Sequence, residues 1–180
     1  MRIVSSEPIH EQWPPISRHL VEFPNGQRRH WVSFDFPDGT AVLAVTPDRR
    51  LVLTRQHLMG VDHTALMLPG GVAQEGESLE GCARRELYEE TGYTAEEFVY
   101  VFRYVNLPSY SRGWVHLYLA RNARRDPSYR RDGAIEVDRV ELVGVDEARE
   151  RALGGELEAS STMMAVLAVP HLLERLGWDS

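Results

Sequence analysis

Lysine is absent from this 180-residue chain, and all 20 cationic side chains are arginine. Arginine offers a planar fork that suits phosphate, but a replacement spread over the whole chain points to a GC-rich genome rather than to one site. Cysteine is nearly absent too. Cys82 stands alone, which excludes an intramolecular disulfide, and its setting marks a small packing residue rather than a nucleophile. No long apolar run and no signal-like start are present; the N-terminus carries Glu7, Glu11 and early prolines. No membrane span or secretory leader is therefore expected, and a cytoplasmic location follows as the default. Excess positive charge is also missing. A net charge of −7 argues against general nucleic-acid binding, whose affinity comes from surplus cations.

What is present is concentrated between Gly71 and Tyr93: G-V-A-Q-E-G-E-S-L-E-G-C-A-R-R-E-L-Y-E-E-T-G-Y. Ser78 suits a helix N-cap, no proline interrupts the run, and Leu79, Ala83 and Leu87 recur at i, i+4, i+8, so a helix is expected over Ser78–Glu90. Glu86, Glu89 and Glu90 are then related by i+3 and i+4 and project from one face. Three like charges packed together need a cation among them, and a hard divalent ion with oxygen ligands, Mg²⁺ or Mn²⁺, would satisfy the cluster. Taken alone, a Glu-rich run is most often a solvated helix face. The frame reverses that reading: Gly70 and Gly71 allow close backbone approach before the helix, and Gly92 suits the left-handed residue that ends it. Arg85 stands four residues before Glu89, at ion-pair spacing. Glu77 suits either a role behind the metal ligands or a first-turn acid facing the helix dipole.

The pattern G-x5-E-x7-R-E-U-x-E-E-x-G-U, with U a bulky apolar residue, resembles the signature of the Nudix hydrolases. Seven of its positions are fixed, so a chance match is on the order of 10⁻⁸ per starting point at about 7% per residue. Tyr93 departs from the aliphatic residue usual at the last position. The resemblance implies that Arg85 orients the carboxylates and that Glu77, Glu86, Glu89 and Glu90 serve the metal.

The likeness extends beyond the signature, toward ADP-ribose pyrophosphatases and related nucleotide-sugar hydrolases. Leu51–His57 resembles their strand ending in Arg-Gln-Tyr, with Arg55 as a candidate phosphate clamp or a partner for an acid at the sheet edge. Leu68-Pro69-Gly70-Gly71 resembles their Leu-Pro-Ala-Gly, whose alanine carbonyl binds metal, a task Gly70 can serve with its own carbonyl. Pro108 stands where they carry a proline, and Gly154–Thr162 resembles the segment before their last helix. Two positions differ. Leu58 replaces an arginine, and the acidic loop that often supplies a catalytic glutamate offers only Asp132 and Glu136. The resemblance further implies N-terminal strands exchanged in a homodimer, with an aromatic such as Trp31, Phe34 or Phe36 stacking on the base; aromatics alternating on a strand are more often core. His30, His57 and His63 form no metal-like spacing.

Strands are expected near Arg18–Phe23, Arg29–Phe36, Ala41–Val45, Leu51–Thr54, Leu66–Leu68, Phe98–Tyr104, Trp114–Ala120 and Glu136–Val145, with further helices over Asp146–Leu153 and Ser160–Leu176. The order implies an α/β sandwich, and the resemblance a Nudix fold: a mixed sheet between helices, with extra antiparallel strands at the N-terminus. Residues 1–38 would form that strand extension and 39–180 the hydrolase domain. The expected activity is metal-dependent hydrolysis of a nucleoside diphosphate joined to another group, most simply ADP-ribose to AMP and ribose 5-phosphate. Alternatives are another substrate of the family (a nucleotide sugar, NADH or a modified nucleoside triphosphate) or a module that senses nucleotide without cleaving it. A DNA-binding regulator would need a basic module that this acidic chain lacks.

Overall fold

The computed structural model describes residues 1–131 and 137–178. Its strands are β1 (Arg2–His10), β2 (Ile16–Glu22), β3 (Arg28–Phe34), β4 (Gly39–Val45), β5 (Arg50–Leu58), β6 (His63–Met67) and β7 (Gly70–Val72). Helix α1 (Leu79–Thr91) follows, then β8 (Tyr93–Thr94), β9 (Glu97–Tyr104), β10 (Val115–Arg121), β11 (Arg124–Arg125) and β12 (Val137–Gly144). Helices α2 (Val145–Leu153) and α3 (Ser160–Arg175) close the chain, and α3 runs through Pro170.

β4 reads G-T-A-V-L-A-V and is buried along its whole length. Its side chains alternate between two cores, as a strand's period of two requires. Ala41, Leu43 and Val45 face a core completed by α2 and α3 through Ala148, Ala165, Val166 and Val169. Val42 and Ala44 face the other way, against Ala83 and Leu87 of α1. β10 divides its residues in the same fashion, with Leu117 and Leu119 on the first side and Tyr118 and Ala120 on the second. The result is the expected sandwich: a mixed sheet, ordered β12-β5-β4-β10-β9, between α1 and the α2–α3 pair. β4 and β10 run parallel, while β9–β10 and β5–β12 are antiparallel. β4 and β5 pair only at Val45–Leu51, and beyond that point β6 continues on β5 and β7 on β4. This splaying leaves room at the front of the sheet for the glycine loop.

The first three strands form a separate antiparallel sheet, β1-β2-β3. β1 falls outside the strands expected from sequence: it carries Pro8, and all nine of its residues are exposed, so it has no apolar alternation to read. β7, β8 and β11 are likewise too short for a periodic signal. The small sheet is tied to the rest by Phe34, whose N–H donates to Tyr110 O at 2.6 Å and whose carbonyl accepts from Arg112 N–H at 3.1 Å. Its interior is polar. His19, buried on β2, lies 2.8 Å from Ser6 Oγ and 2.7 Å from Ser33 Oγ, and Ser33 donates to Asp35.

Candidate active site

Helix α1 is fixed at both ends by local chemistry. Ser78 Oγ accepts the Gly81 N–H at 3.0 Å, the expected N-cap. Gly92 ends the helix at φ 72°, and the ring of Tyr129 lies where its Cβ would be, 2.4 Å away. Leu87 and Ala83 anchor one face in the core, and Glu86 and Glu90, beside that face, meet the glycine loop.

That loop is built on close approach. A Cβ on Gly71 would lie 2.4 Å from Glu86 Oε1, and one on Gly70 would lie 2.2 Å from the Thr40 carbonyl. The Gly70 N–H donates to Glu90 Oε2 at 3.0 Å, and Gln56 Nε2 donates to Glu90 Oε1 at 3.1 Å. Both oxygens of Glu90 are thereby aimed at the sheet edge. Gln56 belongs to the Arg-Gln stretch singled out in the sequence, but its tie to Glu90 is a contact across 34 residues that no local pattern shows.

The cation among the carboxylates is Arg85. Its Nε donates to Glu77 Oε1 at 2.8 Å and its Nη2 to Glu77 Oε2 at 2.9 Å, a bidentate pair. Its Nη1 bridges Glu86 Oε1 at 2.8 Å and Glu89 Oε2 at 3.0 Å. The guanidinium, helped by the Gln74 N–H, holds the Glu77 carboxyl down to about 2. Burial pushes the Glu86 carboxyl up, against the pull of Arg85. Glu86 keeps 13% of its side chain exposed and Glu89 keeps 52%, so Glu89 is the one that meets solvent. Glu86, Glu89, Glu90 and the Gly70 backbone offer oxygen donors only, the chemistry a hard divalent ion selects. Glu86 in particular is a half-starved carboxylate: its ionised form is penalised by burial and only partly compensated. Among the described residues no three acidic, histidine or cysteine side chains converge as a finished metal cage. The donor set fits a cation, with Arg85 tying Glu86 to Glu89.

A cavity of about 310 Å³ opens beside Gly70 and Gly71 and is walled by Trp13, Phe36, Leu107 and Trp114. It is mainly apolar, with aromatic faces. Trp13 and Phe36 lie 5.2 Å apart, centroid to centroid. Of the aromatics expected from sequence, Phe36 lines this cavity, whereas Phe34 stacks on Phe36 from behind at 5.5 Å. Trp31 stacks on Tyr110 and donates to Ser109 O at 2.7 Å, so it holds the loop that carries Pro108. Pro108 itself is exposed, one residue beyond the lining Leu107. Trp13 was hidden from sequence reasoning, because only the tertiary fold brings it to Phe36. Arg55 donates to Glu141 on β12 at 2.7 Å, so it pairs with an acid at the sheet edge. Asp132 and Glu136, the candidate acids of the late loop, lie outside the described residues. Cys82 is buried, with its thiol pushed up by desolvation, as suits a packing residue.

The NUDIX domain family profile matches residues 35–163. The chain is 30% identical over 147 residues to the methanol dehydrogenase activator of Bacillus methanolicus, covering 81% of this chain and 79% of that one. It is 35% identical over 100 residues to the ADP-ribose pyrophosphatase of Bacillus subtilis (strain 168), covering 56% of this chain and 54% of that one. That second match thus spans about half the length of the pyrophosphatase. In three dimensions the molecule is similar to the crystal structure of an ADP compounds hydrolase, at a TM-score of 0.82 and 20% identity, covering 98% of this chain and 96% of that one. At that identity the likeness establishes the fold.

Proposed function

This chain belongs to the Nudix hydrolase family, and from that premise we propose that it hydrolyses ADP-ribose, or a close nucleoside diphosphate compound, to two phosphomonoesters. The observation that carries this reading is the contact between cavity and carboxylates: Gly70 and Gly71 line the aromatic cavity, Gly70 donates to Glu90, and Gly71 lies against Glu86. A nucleoside seated in the cavity therefore places its diphosphate at the carboxylate cluster. Trp13, Phe36 and Trp114 give the base apolar faces, and the backbone at Gly70 is free of any side chain that would hold the phosphates away.

Glu86, Glu89, Glu90 and the Gly70 carbonyl would hold Mg²⁺ or Mn²⁺, with Glu77 acting through Arg85. A divalent ion there supplies charge neutralisation on the diphosphate and a lowered pKa for water. Hydrolysis adds water across one P–O bond of the bridging oxygen, and a carboxylate must take the proton. Glu89 is the most accessible of the three for that task; Asp132 and Glu136 are the other candidates. Arg55, if drawn from Glu141, would clamp a phosphate. The exposed apolar residues of the small sheet, Ile3, Val4, Ile9 and Val32, suit a homodimer built through β1–β3. No helix among the described residues is long and apolar enough to cross a membrane, and the acidic chain suits a cytoplasmic enzyme that leaves nucleic acid alone.

The test is phosphomonoester release from a panel of nucleoside diphosphate compounds, with Mg²⁺, with Mn²⁺ and with chelator. ADP-ribose turned over fastest, and only with metal, is the expected result. Preference for a different compound would overturn the substrate assignment, and turnover in chelator would overturn the metal assignment.

A further inference from the structure

Three segments that wall the aromatic cavity are tied together at one residue, Asp38. Its chain neighbours Pro37 and Gly39 line the cavity, as do Phe36 and Trp114. Asp38 Oδ1 accepts the Trp114 N–H at 2.9 Å, and Oδ2 lies 3.3 Å from Nε2 of the buried His116. The Asp38 carbonyl accepts the Ala73 N–H at 2.9 Å, so the same residue holds the end of the glycine loop, one residue beyond Val72. Next to it, the Gly39 N–H donates to the Trp114 carbonyl at 2.8 Å. Both polar groups of the Trp114 backbone are thereby bound to the turn before β4.

Two further features fix Trp114. Gly113 lets its backbone press against that turn: a Cβ there would lie 2.5 Å from the carbonyl oxygens of Phe36 and Pro37. The guanidinium of Arg103, on the edge strand β9, stands over the Trp114 ring at 4.3 Å from its centre. A cation over one face holds the ring by its quadrupole and leaves the rest of it to the cavity. A plainer role for Asp38 is to cap the backbone where β10 begins. Water would serve that N–H equally well, since the bond lies at the surface and Trp114 keeps 38% of its area exposed. A cap alone also leaves unexplained the second tie through Gly39 and the guanidinium over the indole.

We propose that Asp38 and Arg103 are positioning residues for the base, which hold the Trp114 indole as a preset stacking plate without touching the substrate. The proposal rests on the hydrolase reading above and says how its base site is set. A plate fixed in advance loses little freedom when a base stacks on it, so the gain appears as affinity. Asp38 reaches Trp114 through its carboxylate but the glycine loop through its backbone carbonyl. Removing the carboxylate therefore disturbs the base site and spares the loop beside Glu86 and Glu90.

The test is titration calorimetry of AMP into the full chain, in chelator, with ADP-ribose kinetics in Mg²⁺ and thermal melts on the same variants. Asp38→Ala is expected to weaken AMP binding by about tenfold, and Arg103→Ala by about threefold, the size of an exposed cation–π contact. Asp38→Asn keeps an acceptor oxygen for the Trp114 N–H and should stay within about twofold of wild type. KM for ADP-ribose should follow the same order, with the loss falling on KM rather than on kcat. A purely structural role would lower Tm and leave the AMP affinity of the folded variants at the wild-type value, which would overturn the proposal. Asp38→Asn as weak as Asp38→Ala, or a loss confined to kcat, would overturn it too. Arg103 is exposed on its strand, so its variant decides the matter should Asp38→Ala fail to fold. No AMP binding by wild type would remove the base site and the proposal together. AMP binding without hydrolysis of ADP-ribose would count against the hydrolase reading alone, and the calorimetry would still decide the positioning.

Discussion

At Gly70 a single hydrogen atom decides whether the glycine loop can lie against β4. In the Leu-Pro-Ala-Gly motif that this stretch resembles, alanine takes this place, and in sequence terms the exchange looks mild. Here the Thr40 carbonyl sits 2.2 Å from where that methyl would be, and backbone cannot swing aside as a side chain can. Gly70→Ala should therefore destabilise the fold by about 1–3 kcal/mol and loosen the Gly70–Glu90 hydrogen bond. Thermal melts would show it; an unchanged Tm would mean that β4 and β7 are not packed as described. Arg85 makes a different point. Its i,i+4 tie to Glu89 is legible in any helical reading, but its bidentate grip on Glu77 depends on how the loop turns before the helix. Because Glu77 is held down to about 2, well below its ordinary 4.5, its contribution to stability is present above about pH 5 and is lost as pH falls toward 2. The Tm gap between wild type and Glu77→Gln should be constant near neutrality and close in acid. A gap that widens in acid would reverse the sign of the linkage.

Elements differ in how much of themselves the sequence discloses. α1 was readable almost to the residue, because its start, face and stop are all local: Ser78 caps, Ala83 and Leu87 repeat, Gly92 ends. Most sheet strands were readable for the same reason, through their apolar runs. β1 was not, since an exposed edge strand with a proline has no hydrophobic period, and it exists through pairing with β2. Gly92 joins the two kinds of information. Its left-handed φ of 72° is a local demand, but the Tyr129 ring 2.4 Å from its missing Cβ comes from 37 residues on. Gly92→Ala should cost about 1–2 kcal/mol for the backbone alone and more for displacing Tyr129. Urea unfolding would measure this. A cost below about 0.5 kcal/mol, within the range of ordinary surface changes, would argue that the helix ends elsewhere.

On the scale of the whole molecule, the site is an agreement among distant segments. The signature singles out the candidate carboxylates by their fixed helical spacing. The walls of the cavity are only partly legible: Phe36 lies within the aromatic stretch of the N-terminal strands, while Trp13 and Trp114 come from segments about a hundred residues apart in the chain. Trp31 and Phe34 carry the right residue type but spend their faces on Tyr110 and Phe36. This distinction is testable. Trp13→Ala should raise KM for ADP-ribose by about tenfold, near 1.4 kcal/mol, with kcat little changed, whereas Phe34→Ala should act mainly on stability. Steady-state kinetics with melts on both variants separates the two, and an unaltered KM in Trp13→Ala would remove that residue from the base site.

Metal-dependent hydrolysis is proposed to rest on the carboxylates of α1, and Glu90 bears on it most directly, since Gly70 and Gln56 aim it at the sheet edge. The measurement is ADP-ribose turnover in Mg²⁺ by wild type and Glu90→Gln, with circular dichroism and Tm taken on the same samples. Glutamine keeps the shape and one acceptor oxygen but removes the charge. A folded variant whose kcat falls by about 10²-fold or more is expected; a folded variant that turns over ADP-ribose at the wild-type rate would refute that role for Glu90.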